Sequence, residues 1–154
     1  QYVLLLHQMT TPYGIRTITE QSIAALLAPY ATDPLFTGVQ FHAGQIDEVR
    51  SVPIVIFQAE SAHAHSDFGY NNLGNFEITL KIYVYTSLDD EGLEVHKKRV
   101  EAIQAIMQNL TALQSAWTQG HLYVSTIVDD TEGLSDRRFG NVLTFTLVAV
   151  YPTA

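Results

Sequence analysis

The residues with the clearest chemical potential are His63, His65 and Asp67, which form an H-x-H-x-D string. In an extended segment alternate residues share a face, so two imidazoles and a carboxylate at this spacing could hold a divalent metal. The string lies, however, in a polar stretch, 61–75, that carries two glycines and three asparagines. No further His or Glu stands where it would activate a metal-bound water. The composition reads as an exposed loop. The other histidines, His7, His42, His96 and His121, are scattered without ligand spacing.

Two acidic clusters invite a similar test. Asp89-Asp90-Glu91 has the makings of a general acid–base pair, but it falls where a helix should start. Carboxylates there are favoured by the positive end of the helix dipole, so capping accounts for them. Asp129 and Asp130 with Glu132 and Asp136 suggest a cation loop, yet they lack EF-hand spacing and its central glycine. They read as a solvated turn, with Arg137-Arg138 offering ion pairs worth little each. The sequence holds no G-x-S-x-G, G-x-x-x-x-G-K or G-x-G-x-x-G. With the polar residues sitting where turns need them, the expectation is a non-enzyme with no metal and no cofactor.

Composition narrows the class further. An apolar fraction of 47% and a charged fraction of 16% over 154 residues suit one folded domain, 1–154. Net charge is −8, and the basic residues gather only as Lys97-Lys98-Arg99 and Arg137-Arg138, which read as helix-surface and loop charges. That excludes a phosphate-gripping surface. The absence of cysteine fits synthesis in a reducing cytoplasm. No apolar run is long enough to span a bilayer, and Tyr2-Val3-Leu4-Leu5-Leu6 is too short for a signal core and has no basic residue before it.

The elements that must position these residues follow from periodicity. Ile23, Leu26, Leu27 and Tyr30 fall at i, i+3, i+4 and i+7, predicting a short helix over 19–30 capped by Thr17 or Thr19 and stopped by Asp33-Pro34. Val39-Gln40-Phe41 is a candidate short strand. Pro53 opens the β-branched strand Ile54-Val55-Ile56-Phe57. From Phe76 to Thr86 the alternation is regular: Phe76, Ile78, Leu80, Ile82 and Val84 form a core face, opposite Glu77, Thr79, Lys81, Tyr83 and Tyr85. Val100, Ile103, Met107, Leu110, Leu113 and Trp117 predict one long helix over 91–117, weakened in its last third by Asn109 and Thr111. Two strands follow, 122–128 and 139–151, the second apolar on both faces and hence central. The fold class is α+β: an antiparallel sheet packed against one long amphipathic helix, plus a short N-terminal helix.

Tyr83, Tyr85, Tyr123 and Tyr151 then become the residues of interest. They sit on strands, partly opposite the helix-covered side, and tyrosine is enriched at subunit contacts. The competing reading has the first helix of the same chain covering that face.

The succession Ile23-Ala24-Ala25-Leu26-Leu27-Ala28, Val52-Pro53-Ile54-Val55-Ile56, Gly74-Asn75-Phe76-Glu77-Ile78, the 94–110 helix and Arg138-Phe139-Gly140-Asn141-Val142-Leu143-Thr144-Phe145 resembles the tail terminator and tail-completion proteins of long-tailed bacteriophages, the head–tail joining type. The resemblance implies a homohexameric ring that caps the tail tube and joins it to the connector of the filled head. Its partners would be the tail-tube protein and a head-completion or connector protein. Its place would be the tail or neck of a virion made in the host bacterial cytoplasm, with no membrane involved. It brings no catalytic site. The segment 61–75, with His63, His65, Asp67, Phe68 and Tyr70, would be an arm reaching a neighbouring ring and ordered on assembly. DNA would pass through the lumen without specific binding, since an acidic wall repels phosphate. Residues 1–15 have no match in that family and are expected to add a contact. The alternatives are another neck, tail-tube or head-completion subunit, or a small metal-binding module built on His63, His65 and Asp67.

The loop reading makes a direct prediction. Elemental analysis of the purified chain should find no stoichiometric divalent metal, and His65→Ala should leave function intact. A metal lost on that substitution would restore the metal-module reading.

Overall fold

The computed structural model describes residues 14–45, 51–64, 75–89, 91–117, 121–135 and 137–150. The strand with the most regular alternation anchors it. In β3, Asn75–Ser87, Ile78, Leu80, Ile82 and Val84 are fully buried. β3 pairs antiparallel on one side with β2, Ile54–Ala64, and on the other with β5, Arg138–Val150. β4, His121–Ser135, pairs antiparallel with the far side of β5, and the four-residue β1, Gln40–Ala43, lies parallel to β2. The sheet order is β1-β2-β3-β5-β4. β5 is therefore interior, and Leu147, Val148 and Ala149 are buried on both of its faces, as their unbroken apolar run requires.

The helical segments share one side. α1, Ile15–Leu27, buries Ile15, Ile18, Ile23, Leu26 and Leu27. α2, Gly92–Gln108, buries Val100, Ile103, Ile106 and Met107. All of these join one cluster with β3's core face, Leu143, Phe145 and Phe57, while the buried strand residues Ile54, Ile56 and Val148 stand outside it. The α+β class stands, with a single parallel pair at one margin of an otherwise antiparallel sheet.

Several local boundaries depart from the sequence expectation for identifiable reasons. α1 starts at Ile15 rather than near Thr19, with Gly14 as a cap that offers no side chain. Thr19 and Ser22 instead lie inside the helix, where their hydroxyls donate to the carbonyls of Ile15 and Ile18, each at 2.8 Å. That satisfies two buried hydroxyls. The helix tightens into a 3-10 turn, Ala28–Thr32, at Pro29, and Asp33 caps a second short turn, Pro34–Phe36, by accepting from the Leu35 N–H at 2.9 Å.

The long helix is two helices. At Asn109 the backbone leaves helical space (φ −82°, ψ 88°), and its side chain accepts from the Ala112 N–H at 3.2 Å as the cap of α3, Leu110–Ala116. Asparagine offers the backbone a partner outside the helix, which is why it ends one here. Gln114 of α3 then accepts from the Leu122 N–H at 3.1 Å and fixes the start of β4.

The acidic residues also differ. The stretch 129–135 is strand and not a turn: β4 runs to Ser135, which registers opposite Arg138 across a two-residue connection where Arg137 has φ 58°. β2 likewise continues through Ser61, Ala62, His63 and Ala64, paired with 76–79, so the expected loop is shorter at its start. α2 is entered through Glu91, which makes no side-chain cap, and Gly92, whose φ of 84° is open mainly to glycine.

One contact shows how α1 is held. β1 ends at Ala43, so the backbone of β2 beyond Phe57 loses its strand partner on that side. There Arg16 Nε donates to the Ala59 carbonyl at 2.7 Å, and the Glu20 carboxylate accepts the Ala59 N–H at 2.9 Å. Two side chains one helical turn apart replace a strand at the bulge between Ala59 and Ser61.

The packing predicts a contrast. Ile82→Ala, in a fully buried site, should cost about 2–5 kcal/mol in denaturant titration. Leu93→Ala, at 41% exposure, should stay within about 0.5 kcal/mol of the parent.

Candidate functional site

With the helices on one side, alternation places Glu77, Thr79, Lys81, Tyr83 and Tyr85 of β3 on the other. Among the described residues no helix packs over this face, so α1 is not its cover. All five side chains are half-buried. Ile54 and Ile56 of β2 register opposite Tyr85 and Tyr83 and are 3% exposed. The two tyrosine rings lie nearly parallel, 7° apart with centroids separated by 6.4 Å.

Gly140 explains the ring position. It sits opposite Tyr85 on β5, and a Cβ added there would meet Tyr85 Cε1 at 2.9 Å and Cδ1 at 3.0 Å. The phenol ring lies across the strand where the missing side chain leaves room. Burial pushes the Tyr85 hydroxyl's pKa up, the neighbouring Tyr83 adds to the rise, and Arg138 opposes it. Further along the face the half-buried Lys81 meets the exposed Glu60 at 2.9 Å, and the exposed His63 stands 3.8 Å from the half-buried Glu77. The face is thus an aromatic patch at one end and a charged one at the other.

His63 is the one member of the H-x-H-x-D string within the described residues; His65 and Asp67, with Phe68, Tyr70 and Tyr151, lie outside them. Tyr123 falls in β4 at its first bulge. Among the described residues no group of His, Asp or Glu is arranged to hold a metal ion.

The densest polar cluster was not legible from motif spacing. His96 and Arg99 are 0% and 2% exposed on the buried stripe of α2. Asn141 Oδ1 accepts from His96 Nε2 at 2.6 Å, so a ring with one proton receives the Thr86 hydroxyl hydrogen at Nδ1, 2.9 Å away. Thr86 in turn accepts from Arg99 Nη1 at 3.5 Å. Arg99 also donates from Nε to the Leu35 carbonyl at 2.9 Å and pairs with Glu91 through Nη2. The Phe139 ring stacks on His96 with centroids 5.7 Å apart. Lys97-Lys98-Arg99 is therefore two surface lysines and one core cation. Glu91 serves that cation and not the helix dipole. Asp89 likewise accepts from Arg137 at the tip of the β4–β5 hairpin, at 2.9 Å from Nε, and this bond holds its carboxyl below the usual carboxylate range.

Apart from the partly exposed Glu91 the cluster is buried, and it staples the start of α2 to the ends of β3 and β5. The surface is where recognition can occur.

No protein-family model matches the chain, and no curated protein matches it. Solved structures do. A chain described as "Virion of native gene transfer agent (GTA) particle" is similar over 82% of this chain and 92% of that one, with a TM-score of 0.57 and 16% identity. The two share a fold. At that identity the likeness concerns architecture and not particular side chains. Among the described residues no helix is long and apolar enough to cross a membrane.

The stacked face yields a coupled prediction. Gly140→Ala should lower stability by about 1–3 kcal/mol, because the added methyl displaces the Tyr85 ring. In a Tyr85→Ser background the same substitution should cost little, and a double-mutant denaturation cycle reads the difference.

Proposed function

We propose that this chain is a structural subunit of a phage-like virion. In this reading it forms a homo-oligomeric ring of six copies at the head-proximal end of the tail, ending the tail tube and joining it to the head connector. The observation that carries the reading is the fold shared with a virion chain across nearly the whole of that chain. The sequence resemblance to tail terminators supports the position within the particle, independently of the shared fold.

The surface is consistent with such work. A stacked, half-buried tyrosine pair on a sheet face over which no described helix packs suits a subunit contact, since aromatic side chains bury much area at little entropic cost. A net charge of −8 suits a lumen along which DNA slides. The reading assigns no catalytic step, and Thr86, His96, Arg99 and Asn141 of the polar cluster are core residues.

Native mass spectrometry and electron microscopy of the chain, alone and with tail-tube protein, test this. The expected result is a six-membered ring seated on tube ends. Monomers under both conditions would remove the reading. A ring at another position, or with another copy number, would favour a different neck or tube subunit.

A further inference from the structure

We draw no further inference here: the strongest candidate, the aromatic end of the sheet face where Tyr83 and Tyr85 stack beside the buried Ile54 and Ile56, belongs to the surface already read as a subunit contact, and nothing in the structure shows what covers it.

Discussion

A guanidinium inside a protein must be matched on several sides, and Arg99 sets the terms for its surroundings. Leaving such a charge uncompensated costs about 3–5 kcal/mol, so Glu91, the Leu35 carbonyl and Thr86 have to arrive together. These partners come from the corner before α2, the short turn after α1, and the end of β3. Satisfying one cation therefore fixes the relative placement of three connections that apolar packing alone would leave free to slide. His96 extends the same chain of bonds to Asn141 on β5. The apolar cluster provides the bulk of the cohesion; this network selects one arrangement of it.

The two faces of the sheet divide the labour. One is saturated with helices and closed. The other carries half-buried aromatic rings whose position depends on a glycine in the neighbouring strand, and among the described residues no helix packs over it. The proposed virion role draws on that division, and on a fold held in common with a particle subunit at low identity.

How far the sequence reveals this can be argued from single residues. The alternation from Phe76 to Val84 gives β3 and its core face outright, because a period of two has one structural meaning. The run at 147–149 gives β5's central place for the same reason. Arg99 was hidden by its neighbours, since Lys97-Lys98-Arg99 looks like a solvated face. Counting back from Ile103 and Val100 by three and four would have reached Arg99 and His96 and placed both on the buried stripe. Glu91's partner eight residues on and Leu35's carbonyl far upstream leave no local trace. The carboxylates misread as caps and turns failed similarly: Asp89 is committed to a hairpin tip 48 residues away. Of the candidate contact residues, the pair Tyr83 and Tyr85 was legible from strand parity, whereas the role of Gly140 needed the register between strands.

The substitution of Arg16 and Glu20 for a missing strand has a consequence for how the chain behaves in company. A strand margin with idle amides invites any extended segment nearby, and crowded synthesis of many copies supplies such segments. Here a helix already occupies the hydrogen-bonding positions at Ala59, and at the opposite margin the two bulges of β4 break the straight ladder that a stray strand would copy. The sheet is thereby poorly suited to indiscriminate stacking. Association is left to whatever shaped contacts the rest of the surface offers, which keeps orderly assembly separate from aggregation.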